Sequence, residues 1–172
     1  DKKEDLLKSD FHFAILHGLG KWQGLHSELL FKEEVFPVCS PKYLSRCKNL
    51  VDFSKLVDSD LLDLEYENWN WMNWTIWLTE KKLPSVKLNR KITSNNYAFL
   101  IDAAKNNLGI ALAWRHLHEN DLASGSLIAP FPESVISANG YHLAWPFNAS
   151  KNNLLDNILD WLITEVNFPS KT

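Results

Sequence analysis

Four stretches of this sequence hold residues whose types and spacing could do chemistry: a glycine-rich turn, a histidine pair, a tryptophan-rich run and a polar helix start. The turn is Gly18-Leu19-Gly20-Lys21-Trp22-Gln23-Gly24. A dinucleotide-binding loop needs two residues between its second and third glycines and a helix immediately after, so that backbone N–H groups and the helix dipole meet the phosphates. Here three residues separate Gly20 from Gly24 and an extended segment follows, so a tight connection between strands is the stronger reading. His116-Leu117-His118 places two rings two residues apart on a predicted helix. They point to different faces, whereas helical ligands of one ion sit three or four apart. No Gly-x-Ser-x-Gly elbow, Walker sequence or His-Glu-x-x-His pattern occurs. No cofactor or metal is expected, no catalytic residue is assigned, and the chain is read as a non-enzyme.

Eight tryptophans in 172 residues is a high count. Trp69 and Trp71, in Glu67-Asn68-Trp69-Asn70-Trp71, could stack on a sugar, with Glu65, Glu67 and Glu80 as a source of two carboxylates for glycoside hydrolysis. The favoured reading is that the rings fold over a nearby helix as a satellite cluster, with Trp74, Trp77 and Trp161 in the core. At Ser94-Asn95-Asn96-Tyr97 a helix start rich in short polar side chains follows a strand. In α/β sheets ligands collect at such turns, and free N–H groups attract anions there. Capping alone needs only one of these residues, so the two readings stand level.

Composition narrows the class. A hydrophobic fraction of 45% and a charged fraction of 23% are those of an ordinary globular domain. The net charge is −3 and the 18 basic residues are scattered, so this chain by itself is not expected to grip DNA, which needs clustered Lys and Arg. Two cysteines, Cys39 and Cys47, make no disulfide scaffold. With no charged-then-apolar leader and no run near the ~18 apolar residues of a membrane span, a cytoplasmic location without membrane contact is expected.

The elements that must position these residues follow from periodicity. Phe11–Leu16, Leu25–Phe31, Val35–Cys39, Leu61–Leu64, Val86–Ile92, Gly109–Ala113, Ser126–Ala129 and Tyr141–Trp145 read as strands. Glu33-Glu34 separates the second from the third. Asn73 caps a helix with Trp74, Trp77 and Leu78 on its buried face, and Pro84 marks its exit. Ser94 or Asn95 opens another, with Tyr97, Leu100, Ile101, Ala104 and Leu108 inward and Gly109 at its end. Arg115–Ala123 is a short helix. Ser150 caps a last one carrying Leu155, Ile158, Leu159, Leu162 and Val166. Strands alternating with helices predict an α/β fold with mainly parallel pairing.

Several segments, taken in order, resemble the effector-binding domain of LysR-type transcription regulators, in the branch of glycine-cleavage activators and β-lactamase regulators. They are Asp10-Phe11-His12-Phe13-Ala14-Ile15-Leu16-His17-Gly18, then Gly20-Lys21-Trp22-Gln23-Gly24-Leu25, then Leu29-Leu30-Phe31-Lys32-Glu33-Glu34-Val35-Phe36-Pro37-Val38-Cys39-Ser40-Pro41. The last is the most specific. Trp74-x-x-Trp77-Leu78, Ala103-Ala104-x-x-x-Leu108-Gly109-Ile110-Ala111-Leu112 and Leu122-Ala123-Ser124-Gly125-x-Leu127-Ile128-x-Pro130-Phe131 follow in family order.

The resemblance implies a two-lobed, periplasmic-binding-protein-like (type II) α/β domain with mixed, mainly parallel sheets and a small ligand between the lobes. Lobe I would be residues 1–39 and 137–172, and lobe II residues 40–136. Effector contacts carry over onto Asn95, Asn96, Tyr97 and Tyr141, with His17, Gly18 and Trp22 bordering the cleft. Where relatives often have small hydroxyl residues this sequence has Asn96 and Tyr97, and a bulky Tyr97 would reshape the pocket. The family's opening strand–helix–strand unit and its DNA-binding helix-turn-helix have no counterpart here, so a chain truncated at its N-terminus is expected. The implied partners are a small-molecule effector, further copies in a dimer or tetramer of the intact protein, and DNA through the absent helix-turn-helix. The alternatives are a solute-binding component of a transport system and, behind it, a carbohydrate-binding or hydrolysing domain.

Overall fold

The computed structural model describes residues 11–47, 56, 58–65, 71–83, 88–148 and 153–167. The chain divides into two units, one of residues 1–33 with 137–172 and one of residues 34–136. Strands β1 (Ala14–Gly18), β2 (Leu25–Val38), β3 (Leu61–Leu64), β4 (Arg90–Ser94), β5 (Ile110–Trp114) and β6 (Val135–Pro146) alternate with helices α1 (Pro41–Arg46), α2 (Trp74–Glu80), α3 (Tyr97–Lys105), α4 (Glu119–Ala123) and α5 (Asn153–Asn167).

In the 34–136 unit the strand order is β2-β5-β3-β4. β5 pairs in parallel with β3 and antiparallel with the end of β2, and β3 pairs in parallel with β4, so the sheet is mixed. All five residues of β5 are buried, as its continuous apolar run requires of a strand covered on both faces. α2 starts where the sequence places it. The Asn73 side chain accepts from the Ile76 N–H at 3.0 Å, and Trp74, Trp77 and Leu78 are buried at the i, i+3, i+4 spacing. Both indole N–H groups find carbonyls, Trp74 on Leu62 at 2.9 Å and Trp77 on Val35 at 3.0 Å. That satisfies the polar handle which makes a fully buried tryptophan costly.

β2 is one strand of 14 residues where the sequence suggests two with an acidic break. The break is absent because both carboxylates have partners. Glu33 lies 3.3 Å from His17 Nε2, an ion-pair distance without hydrogen-bond geometry. Arg115 donates to the two oxygens of Glu34 at 2.6 and 2.9 Å. Other boundaries also moved. Leu108, expected inside, is 41% exposed, because α3 ends at Lys105 and Asn107 turns the chain in the left-handed region at φ 66°. Gly109 serves close approach and not the helix end, since a Cβ there would collide with the Asp60 carbonyl. Residues 115–123 split into a 3-10 turn (Arg115–Leu117) and α4. Residues 126–129 give only an isolated bridge, Ile128 to Cys39. Pro84, Val86 and Ser150 lie outside the described residues.

In the 1–33 and 137–172 unit, β6 lies between β1 and β2 and pairs antiparallel with β1, from Ala14↔Ala144 to Gly18↔Gly140. Among the described residues, fewer apolar side chains are covered here. Leu25, Leu143 and Ala144 are buried, while Ile15 is 56% and Phe147 61% exposed. Trp161, expected in the core, is 60% exposed on α5. The continuous hydrophobic core lies within residues 34–136.

Charge pairs make the 34–136 unit acid-sensitive. The Arg115 hydrogen bonds hold Glu34 below the ordinary glutamate range, against burial. At Asp121 burial pushes the carboxyl up, but hydrogen bonds from Lys105, His118 and Ser126 outweigh it and the net direction is down. A carboxyl depressed on folding stabilises above its unfolded value, about 4, and that stability is lost as pH falls through the folded value. Urea midpoints are therefore expected to fall below about pH 4, with a shallower fall in Glu34→Gln. The effect is small, because Arg115 is 41% exposed and solvent screens the pair.

Candidate functional site

In the 34–136 unit, β4 delivers the chain to the start of α3 at Ser94-Asn95-Asn96-Tyr97. Capping falls to Asn96, whose side chain accepts from the Phe99 N–H at 3.1 Å, one or two residues later than the sequence suggests. The Asn96 N–H donates to the Ser94 hydroxyl at 3.1 Å, and Asn95 is exposed. Tyr97 turns inward. Its ring meets Trp114 edge-on, with centroids 4.9 Å apart, and its oxygen accepts from the Trp114 N–H at 3.3 Å and lies 2.6 Å from His118 Nε2. His118, 8% exposed, places Nδ1 2.8 Å from Asp121, whose other oxygen takes Lys105 at 2.7 Å. Beside Tyr97 is a pocket of about 10 Å³ lined by Leu62, Asp63, Leu64, Met72 and Trp114 among others. That is room for about one water molecule, far below the several hundred Å³ of a typical ligand cavity.

In the other unit, the β1–β6 register sets His17 opposite Tyr141, with ring centroids 5.0 Å apart. Phe31 stacks on Tyr141 at 4.9 Å, and the buried Glu33 reaches His17. Burial, then the Glu33 charge, pushes the Tyr141 hydroxyl above the ordinary tyrosine range. Trp22 lies edge-on to His142 at 5.4 Å, and a Cβ on Gly18 would come within 3.2 Å of the Trp22 ring, so Gly18 admits the indole. Gly20 holds φ 77°, and a Cβ there would meet His142 Nε2 at 2.5 Å. Gly20→Ala is therefore expected to destabilise by about 2 kcal/mol, from left-handed strain and the displaced imidazole, seen as a lower midpoint in urea. The loop from Leu19 to Gly24 is the short connection expected, but the strands it joins are separated by β6.

Of the expected contact residues, the structure brings His17 to Tyr141 and Gly18 to Trp22 in one unit, and sets Asn95, Asn96 and Tyr97 in sequence in the other. Sequence reasoning missed Phe31, Glu33, Trp114, His118 and Asp121. Two signals were available. Phe31 and Glu33 are two apart on one strand and share a face, and His118-x-x-Asp121 has the three-residue spacing of helical neighbours. His118 is no partner of His116, which sits 3.4 Å from Glu119. Trp71 meets Trp114 edge-on at 6.4 Å, while Trp69 and Glu67 lie outside the described residues. Cys39 is fully buried, and burial with the nearby Cys47 pushes its thiol to about 12. Among the described residues no cluster of three His, Cys, Asp or Glu could hold a metal, and no helix is long and apolar enough to cross a membrane.

The sequence profile of the LysR substrate binding domain matches residues 2–167. The chain belongs to that family. It is similar to the glycine cleavage system transcriptional activator of Escherichia coli K12, 26% identical over 165 residues that cover 96% of this chain and 53% of the relative. It is also similar to the HTH-type transcriptional regulator PerR of the same strain, 27% identical over 169 residues, covering 93% of this chain and 52% of the relative. The chain thus spans about half the length of the curated relatives it matches. The LysR-type fold is established by solved structures. The effector domain of AmpR from Pseudomonas aeruginosa superposes with a TM-score of 0.69 at 23% identity, covering 90% of this chain and 72% of that one. CrgA from Neisseria meningitidis gives 0.74 at 22%, covering 98% and 56%. The fold is the α/β, periplasmic-binding-protein-like one expected of a LysR-type domain. The relatives are named as regulators of transcription, which favours that reading over a transport component or a carbohydrate-acting domain.

Proposed function

We propose that this LysR-type domain senses a small-molecule effector on behalf of a DNA-binding regulator. The observation that carries the reading is the family match across residues 2–167. In this reading lobe I is residues 1–39 with 137–172 and lobe II residues 40–136, near the division of the chain at residues 33/34 and 136/137. Asn95, Asn96 and Tyr97 contact the effector from lobe II. Tyr141, His17, Gly18 and Trp22 contact it from lobe I, and Phe31 and Glu33 are added by their packing on Tyr141 and His17. No catalytic step is assigned. The effector favours one state of the regulator by binding it more tightly than the other. DNA contact belongs to a helix-turn-helix domain of the intact protein, which works as a homo-oligomer in the cytoplasm. The scattered basic residues of this chain support that division of labour.

Calorimetric titration of the intact protein with a panel of amino acids, amines and small carboxylates tests the assignment. A ligand found in the panel is expected to lose tenfold or more in affinity in Tyr97→Ala and in Tyr141→Ala, and to keep it in Lys42→Ala, an exposed residue of α1. A ligand indifferent to both tyrosine variants would remove these residues from the effector site.

A further inference from the structure

Behind Tyr97, side chains of α3 and α4 and the residue between α4 and the 3-10 turn form one unbroken line: Lys105 to Asp121 at 2.7 Å, Asp121 to His118 at 2.8 Å, His118 to Tyr97 at 2.6 Å. The chemistry of each group fixes the direction of each bond. An ionised carboxylate only accepts, so His118 Nδ1 carries a hydrogen and gives it to Asp121. The Trp114 N–H donates to the Tyr97 oxygen. When His118 is neutral, its Nε2 is an acceptor and the Tyr97 O–H points at it. When solvent supplies a second proton to His118, Nε2 becomes a donor. The Tyr97 oxygen then accepts from both Nε2 and Trp114, and its own hydrogen must turn away from His118.

We propose that His118 sets the hydrogen-bonding polarity of Tyr97, presenting the hydroxyl as an acceptor when neutral and as a donor when protonated, so that a ligand group accepting from Tyr97, such as a carboxylate, binds with uptake of one proton. The proposal rests on the reading of Tyr97 as an effector contact. The charged and titratable groups around His118 are Tyr97 from α3, Asp121 from α4 with Lys105 on its far oxygen, and the adjacent Arg115 and the His116–Glu119 pair. Lys105 offsets much of the Asp121 charge, and Arg115 is engaged by Glu34. His118 thus sits between nearly neutral pairs and is coupled directly to the Tyr97 hydroxyl. Its burial keeps bulk solvent from screening that coupling.

Nuclear magnetic resonance of the intact protein, 15N-labelled at histidine and tryptophan, tests this from about pH 8 to about pH 5, the range over which histidine changes charge. At the upper end His118 is expected to carry hydrogen on Nδ1 alone. On acidification Nε2 gains one, and the Trp114 amide shifts with the same midpoint. In Tyr97→Phe, which keeps the ring on Trp114, His118 still titrates and the Trp114 amide no longer follows. A hydrogen on Nε2 alone at the upper end, a His118 that never gains its second proton, or a Trp114 amide that ignores the titration would overturn the proposal. So would one that follows it in Tyr97→Phe. Should that variant fold poorly, the wild-type measurement decides. None of these readouts uses an effector, so their failure leaves the sensing role standing, and failure of effector binding leaves the hydrogen-bond reversal standing.

Discussion

Replacing Trp74 with alanine is expected to lower stability by about 4 kcal/mol, the largest effect of any single change considered. The side chain is fully buried, meets Trp77 edge-on at 5.8 Å and donates to the Leu62 carbonyl in β3. Alanine leaves a cavity that the neighbouring strand cannot fill and a buried carbonyl without its donor, which adds about 1 kcal/mol or more. Against a typical total of roughly 5–15 kcal/mol, such a loss approaches unfolding. Trp74→Phe retains most of the volume and loses the hydrogen bond, so about 2 kcal/mol is expected. Urea titration of both variants gives the ordering. Equal losses would show that the N–H contributes everything and the packing nothing.

The second large effect is at Asp63. This carboxylate is almost fully buried at the end of β3, yet both oxygens are used. One accepts the Trp74 N–H at 3.1 Å, at the open start of α2, and the other takes Arg90 Nε at 2.6 Å. Arg90 also reaches the Thr75 hydroxyl at 2.6 Å, so β3, β4 and α2 are tied at one point. Asp63→Ala leaves the helix N–H buried and uncapped and releases Arg90. Breaking a buried ion pair costs roughly 3–5 kcal/mol, but Arg90 is 44% exposed and regains water, so about 3 kcal/mol is expected. Asp63→Asn keeps an acceptor for Trp74 and loses the charge opposite Arg90, and about 1 kcal/mol is expected. Equal thermal or urea midpoints for Asn and Ala would mean that the ion pair, which both variants lose, and not the helix cap, holds this corner.

The parts of the fold that were legible in the sequence are those fixed by local chemistry. Asn73 followed by Trp74, Trp77 and Leu78 states a capped, one-faced helix, and the structure contains it. The run Gly109 to Ala113 states a buried strand, and the structure has it one residue on, at Ile110–Trp114, buried at every position as β3 also is. Misreadings arose where a distant residue changed the meaning of a local signal. Glu33-Glu34 reads as a break until His17 and Arg115, remote in sequence, are placed opposite them. Tyr141 to Trp145 is only the latter part of β6, because its earlier residues, Val135 to Gly140, gain their extended state from pairing and not from an apolar pattern. Trp161 reads as core from its type, and helical position left it facing outward. The proposed anchors of the candidate site, Tyr97 and Tyr141, were named through resemblance. Its supporting groups were not, since the His118–Asp121 pair and the Phe31–Tyr141 stack depend on elements that meet only in three dimensions.

A sensing domain of the proposed kind reports ligand occupancy to DNA, and the coupling between the two binding events measures this. The affinity of the intact protein for its operator DNA should be determined with and without a saturating ligand from the titration panel, together with the footprint on the DNA. The ligand is expected to change the affinity or the footprint. Where affinity changes, DNA must change the ligand affinity by the same factor, since linkage between two binding sites is reciprocal. A ligand that binds through Tyr97 and Tyr141 yet leaves both DNA affinity and footprint unaltered would contradict the sensing role.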